Sequence, residues 1–248
     1  MQQAALNLAL IFYMTLPTVL PAPRAILFDL DGTLADTAPD LAAAVNWLRT
    51  ERGLPPTPYS VLRPTASAGA RGMIGAAFGL APGDEGYEEL RLQWFDRYQE
   101  TMAVHSSLFG GVTELLVGIE GAGMAWGIVT NKPARFTDPL LPQIGLSHAG
   151  CVVSGDTTGF PKPHPAPLLE GARRLGVDPE HCWYVGDDKR DVEAGRAAGM
   201  VTVACNWGYC GAIEPSTWGA DYLLDTPTDL LQTLRTVVET ARAATSAA

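Results

Sequence analysis

The feature that most restricts what this chain can fold into is a series of short, largely apolar runs separated by stretches of helical periodicity. The runs are Ala25-Ile26-Leu27-Phe28 and those at 125–129, 151–153, 182–185, 201–204 and 222–224. A short segment with almost no polar member fits a strand buried on both faces, the environment of an inner strand in a parallel sheet. Between the runs, Val112, Leu115, Leu116 and Ile119 recur at i, i+3, i+4 and i+7. Leu168, Leu169, Ala172 and Leu175 trace a similar stripe. Both read as helices with one apolar face, and Gly121 and Gly176 stand where C-cap glycines are expected. Strand and helix in alternation predict an α/β fold with a doubly wound parallel sheet.

Residues 40–107 break this rhythm. They offer helical patterns at about 41–52, 70–78 and 87–102 but no convincing buried strand. The segment reads as a small all-helical cap inserted after the first strand, over the carboxyl edge of the sheet. The division predicted is therefore an α/β core of residues 24–39 and 108–248, a helical cap of 40–107, and an N-terminal extension of 1–23. The extension carries no charged side chain. It lacks the basic start of a secretory signal and falls short of the ~20 apolar residues of a membrane span. A loosely ordered extension is expected, with Met14 as an alternative start and an export signal or anchor as the rival reading.

The balance of 17 Lys+Arg against 27 Asp+Glu gives a net charge of −10. That disfavours nucleic acid and anionic membranes as partners, since both call for a basic footprint. The four cysteines, Cys151, Cys182, Cys205 and Cys210, show no CxxC spacing. Free thiols in a reducing, cytoplasmic setting follow. A monomer and a homodimer both remain open.

The sharpest chemical signal is Phe28-Asp29-Leu30-Asp31-Gly32-Thr33-Leu34. Residues i and i+2 of a strand point to one side, so two carboxylates at a strand end can approach one centre. An Asp-Gly pair also has a purely structural use in turns. Three further loops argue for chemistry instead. Val129-Thr130-Asn131 ends a predicted strand with a hydroxyl, and Pro161-Lys162-Pro163-His164-Pro165 stiffens a lysine-bearing loop. Gly186-Asp187-Asp188-Lys189-Arg190-Asp191 ends another strand with three more carboxylates. Ligands of open α/β sheets bind outside the carboxyl ends of the strands, where all four loops fall.

DLDGT, the VTN threonine, the PKPHP lysine and GDDKRD, in this order, resemble the four motifs of the haloacid dehalogenase superfamily over nearly the whole chain after Arg24. The helical insertion resembles that superfamily's C1-type cap. DGTLADTAPDL, VTNKP and KPHPAPLL resemble the phosphoglycolate phosphatase group. SAGARGM and AVHSSLF also resemble bacterial N-acetylmuramic acid 6-phosphate phosphatases. An acid at position 31 favours a phosphatase, because the resemblance implies that dehalogenases lack one there.

Phosphoryl transfer needs a nucleophile, neutralisation of the phosphoryl oxygens and an acid for the leaving oxygen. Asp29 is the candidate nucleophile, forming an aspartyl-phosphate. Asp31 is the candidate acid and then base. Lys162 and Thr130 would hold the phosphoryl oxygens. Mg2+ suits carboxylate and phosphate oxygens; the resemblance implies that Asp29 and Asp187 bind it through side chains and Asp31 through its backbone carbonyl. Asp188 and Asp191 are candidates for support of the site, with a helix N-cap and first-turn acid as the structural alternative. Asn131, Gly69 and Arg71 are candidate substrate contacts; Lys132 and His105 are further ones. The expected reaction is release of phosphate from a small carboxylate-bearing ester, phosphoglycolate first and N-acetylmuramic acid 6-phosphate second. A phosphosugar mutase and a non-enzymatic phospho-acceptor are the rivals.

Other templates fail. No GxxxxGK[ST], GxSxG or HExxH occurs,. Gly121-x-Gly123-x-x-x-Gly127 precedes a strand rather than following one, and Cys205 and Cys210 lack a companion pair for zinc,.

Overall fold

Six of the apolar runs form one parallel sheet in the computed structural model, which describes residues 20–246. The strands are β1 (Ala25–Phe28), β4 (Ala125–Val129), β5 (Val152–Val153), β6 (Cys182–Gly186), β7 (Val201–Cys205) and β8 (Tyr222–Leu224). They lie in the order β5-β4-β1-β6-β7-β8, every pairing parallel. β1 is thus central, flanked by β4 and β6, so the loops after these three strands open side by side on one edge.

Helices cover both faces. Ile26 and Phe28 share a core with Leu115, Leu116 and Ile119 of α5 (Val112–Gly121) and with Leu230 and Leu234 of α9 (Pro227–Ser246). Ala25 and Leu27 face the other way, toward Leu168 and Ala172 of α7 (Ala166–Leu175) and Ala194 of α8 (Lys189–Ala197). Alternation along a single buried strand supplies both cores. The helix α6 (Ala134–Gln143) adds Phe136 and Leu140 to the first of them.

One expected cap is displaced. α5 runs through Gly121, and it is Gly123 that takes the left-handed conformation, at φ +75°. Met124 N–H donates to Ile119 O at 3.1 Å and Gly123 N–H to Glu120 O at 2.9 Å, the two bonds of a Schellman end,. Gly176 does cap α7.

The insertion is helical, as expected: α1 (Ala38–Glu51), α2 (Tyr59–Leu62), a 3-10 segment (Arg63–Ala68), α3 (Gly69–Phe78) and α4 (Tyr87–Thr101). Its neck holds something the sequence did not suggest. β2 (Ala35–Asp36) and β3 (Ser107–Leu108) pair antiparallel where the chain leaves the core and returns. Beside them the buried Asp40 carboxylate accepts from His105 N–H at 3.0 Å, Ser106 N–H at 2.8 Å and Ser106 Oγ at 2.7 Å. The two crossings are thereby clasped together.

The expectation for the N-terminal extension lies outside the described residues except at its end, where Pro21 O accepts from Trp183 Nε1 at 3.0 Å. Among the described residues no helix is long and apolar enough to cross a membrane.

Candidate active site

β1 stops at Phe28, and the chain turns so that Asp29 and Asp31 stand at the exposed edge of the sheet. Asp29 Oδ1 accepts from Leu30 N–H at 2.8 Å and from Lys162 Nζ at 2.9 Å. Asp31 has different partners: its Oδ1 accepts from Lys132 Nζ at 2.9 Å and from the Thr37 hydroxyl. Two carboxylates two residues apart are thus held by two different lysines.

Lys162 is buried, with Nζ 2.7 Å from Asp191 Oδ1 and 2.8 Å from the Tyr184 hydroxyl. Burial opposes its charge, but Asp191 and Asp29 outweigh burial and raise its pKa. Asn131 fixes the loop: its Oδ1 accepts from Lys162 N–H at 2.8 Å and its Nδ2 donates to Lys162 O at 3.0 Å. Both ends of that amide are therefore used on the lysine loop, although Asn131 also lines the cavity. Thr130 is buried at the end of β4, its Oγ1 accepting from Lys132 N–H at 3.1 Å.

After β6 come Asp187, Asp188 and Asp191. Asp188 caps α8, accepting from Arg190 N–H at 2.9 Å, while Asp191 returns a bond to Asp188 N–H at 3.1 Å. Asp187 is fully buried and accepts from Thr33 Oγ1 at 3.1 Å and Tyr209 N–H at 2.8 Å. Carboxylate oxygens of Asp29, Asp187 and Asp191 lie within 4.8 Å of one another. Burial, then Asp29 and Asp191, pushes the Asp187 carboxyl well above its usual range. Burial likewise takes Asp191 up to about 6, against the pull of Lys162. Three buried carboxylates with one lysine among them form an undercompensated anionic centre of hard oxygen donors, which fits a divalent cation such as Mg2+. The Asp31 side chain stands outside this group, turned to Lys132 and Thr37.

A cavity of about 270 Å³ extends from these residues to the insertion. Gly69 and Arg71, at the start of α3, line it, and Arg71 is exposed. Trp94, Phe95, Tyr98 and Phe136 form an aromatic wall; Trp94 and Tyr98 stack at 5.3 Å with 7° between their planes. The ammonium of Lys132 is not directed to open space but held between Asp31 and the Tyr98 hydroxyl. His105 sits outside this lining, its backbone bound to Asp40 in the neck.

The haloacid dehalogenase-like hydrolase family model matches residues 26–205. The chain belongs to that family. It is similar to an N-acetylmuramic acid 6-phosphate phosphatase of Pseudomonas putida, 44% identical over 220 residues, covering 88% of this chain and 97% of the relative. It is also similar to a phosphoglycolate phosphatase of Xanthomonas campestris, 47% identical over 210 residues, covering 84% and 95%. The crystal structure of a predicted phosphoglycolate phosphatase from Haemophilus somnus superposes with a TM-score of 0.76 at 27% identity, covering 86% of this chain and 98% of that one. This haloacid dehalogenase-like chain is a phosphoric monoester hydrolase.

In this hydrolase's site Tyr184 and Tyr209 carry no local sequence signal, and Arg190, though inside GDDKRD, is not singled out for a role by the sequence. Tyr184 lies inside a strand, where its ring reads as core, yet its hydroxyl meets Lys162 and donates to Val129 O at 2.8 Å. Tyr209 donates its backbone N–H to Asp187, and its hydroxyl accepts from Thr37 N–H at 2.8 Å and Ala38 N–H at 2.9 Å, capping α1. Arg190 grips Asp188 and reaches Ser67 O in the insertion at 2.9 Å. A polar tip on an otherwise buried body is the available clue, and it does not name a partner.

Proposed function

We propose that this hydrolase cleaves N-acetylmuramic acid 6-phosphate, with Asp29 as nucleophile, Asp31 as acid and base, and Mg2+ as cofactor. The observation that carries the reading is the cavity, which joins Asp29, Asp31, Thr130 and Lys162 to Arg71 and an aromatic wall. Its volume of about 270 Å³ exceeds what a two-carbon acid fills beside its phosphate, while aromatic faces and a guanidinium suit a sugar ring bearing a carboxylate,. Phosphoglycolate is the second reading, supported by the Xanthomonas relative and by Arg71, which suits either acid.

In the first step an Asp29 oxygen bonds to phosphorus, the ester P–O bond breaks, and the Asp31 carboxyl passes its proton to the departing alkoxide. Water then attacks phosphorus, its proton going to Asp31, the bond between phosphorus and the Asp29 oxygen breaks, and inorganic phosphate leaves with the Asp29 carboxylate restored. Lys162 and Thr130 hold phosphoryl oxygens, and Asp191 keeps Lys162 in place. Asp29, Asp187 and the Asp31 backbone carbonyl would hold Mg2+, which supplies positive charge to the phosphoryl oxygens. Residues 40–107 act as the specificity cap over a core of 24–39 and 108–248. Four free cysteines accord with the cytoplasm,.

The test is phosphate release with Mg2+ from both esters, with Asp29→Asn as the blank. A hundredfold lead in kcat/KM for the amino sugar, about 2.7 kcal/mol of transition-state preference, is the expected result. A lead of that size for phosphoglycolate would reverse the order, and interconversion of phosphosugar isomers without phosphate release would overturn hydrolysis itself.

A further inference from the structure

We infer that Lys132, held by Tyr98, is a positioning residue that commits Asp31 Oδ2 to proton delivery; this rests on the assignment of Asp31 as the acid. Both donors to the Asp31 carboxylate address the same oxygen. Lys132 Nζ stands 2.9 Å from Oδ1, and the Thr37 hydroxyl donates to Oδ1 as well. Oδ2 has no hydrogen-bond partner among the described residues, and Asp31 lines the cavity. An oxygen already taken by two donors leaves the other as the one free to exchange a proton. Oδ2 is therefore the atom that gives the proton to the leaving oxygen and takes one from water in the second step.

Lys132 does not reach Asp31 unaided. Its ammonium is buried, 2.8 Å from the Tyr98 hydroxyl and 4.8 Å from the centre of the Tyr98 ring. Tyr98 is fixed in turn, stacked on Trp94 and set edge-on to Phe136 at 5.3 Å. Lys132 itself follows β4, but Tyr98, which holds it, belongs to α4, and Thr37 stands at the entry of the insertion, so one donor to Oδ1 and the anchor of the other come from the inserted segment or its neck. The two buried lysines divide the carboxylates between them. Lys162 serves Asp29 and Asp191, and Lys132 keeps the Asp31 side chain apart from that cluster.

A lysine that bound substrate would act through KM. A lysine that merely supported the fold would depress every substrate alike. The water step is common to all esters, so positioning of the acid is read in kcat/KM, which reports the steps up to departure of the leaving group, and is selective there for leaving groups that need a proton. The experiment compares Lys132→Met and Tyr98→Phe with wild type, with Mg2+, on two esters: p-nitrophenyl phosphate, whose leaving phenolate departs without a proton, and a simple alkyl phosphate, whose alkoxide does not. General acid catalysis is worth roughly 10²–10⁴-fold. The expected result is a fall in kcat/KM of more than about tenfold on the alkyl ester, against less than about threefold on the aryl ester. Tyr98→Phe keeps the ring stack and is expected to show the same asymmetry, smaller in size, which covers a poorly folding Lys132→Met. Equal losses of kcat/KM on both esters would overturn the positioning role while leaving the hydrolase assignment intact. A wild type that released phosphate from neither ester would overturn both.

Discussion

Gly32 is pressed against Asp187: a Cβ on Gly32 would stand 2.2 Å from Asp187 Oδ2, and the residue sits at φ +88°. The glycine of the DLDGT motif therefore does two things. It takes a backbone conformation that costs an L-residue roughly 1–2 kcal/mol, and it leaves room for a buried carboxylate beside Asp29. Gly32→Ala is expected to displace Asp187 and to weaken Mg2+ binding by roughly 10–100-fold, the range seen when groups supporting a metal site are disturbed. Calorimetric titration of the metal-free proteins with Mg2+ checks this. Unchanged affinity would mean that Asp187 does not hold the ion.

Lys162 bonds to two buried carboxylates, at 2.7 Å to Asp191 and 2.9 Å to Asp29. Removing one partner of a buried ion pair costs about 3–5 kcal/mol because the other charge is stranded. Lys162→Met is expected to lower Tm by roughly 6–20 °C at two to four degrees per kcal/mol. Adding Asp191→Asn to that variant should restore part of the loss, since it removes one stranded charge. A double variant no more stable than the single one would show that the lysine's packing, not its charge, matters.

With Mg2+ held at this cluster as proposed, the raised carboxyls of Asp187 and Asp191 would tie its binding to pH. A carboxyl raised by folding contributes stability that is present below the unfolded value, near 4, and lost as pH rises through the folded one. For Asp191 that window reaches about 6, and for Asp187 it extends well above the usual range. The metal-free protein thus grows less stable through this interval as its cluster charges. Protons and Mg2+ compete for the same oxygens, so the rise in Tm given by Mg2+ should be small at about pH 5 and large at about pH 7.5. Thermal melts at both values, with Mg2+ and with a chelator, decide it. An equal shift at both would place the ion elsewhere.

The strands were legible because an inner parallel strand must be apolar on both faces, and Ala25–Phe28 could hardly be anything else,. The loops after β1, β4 and β6 were legible because carboxylates, a threonine and a lysine collected at strand ends. The neck was not. β2 and β3 have two residues each, too short for a period to register, and their pairing is set by the Asp40 clasp across 65 positions. Gly121 stands two residues before Gly123, the one that reverses the chain, and only the hydrogen bonds of Gly123 and Met124 distinguish the two glycines. Tyr209 was invisible for a related reason, since it meets Thr37 from 172 residues away.

Arg71 offers the cleanest separation of binding from chemistry. It lines the cavity at the start of α3, it is exposed, and it lies on the insertion rather than on the loops that carry the carboxylates. A guanidinium there can pair with the substrate's carboxylate in ground state and transition state alike, and uniform binding of that kind moves KM and leaves kcat alone. Because the group is exposed, solvent weakens the pair, and an effect near 1 kcal/mol, about fivefold to tenfold, is the proper scale. Arg71→Ala should raise KM by that factor for the carboxylate-bearing ester with kcat nearly unchanged. A phosphate ester of similar size without a carboxylate supplies the control, and its KM should be the same in wild type and variant. If both esters lose affinity together, Arg71 holds the cap's shape; if neither does, the carboxylate is bound elsewhere, and the backbone N–H groups at Gly69 become the next place to look.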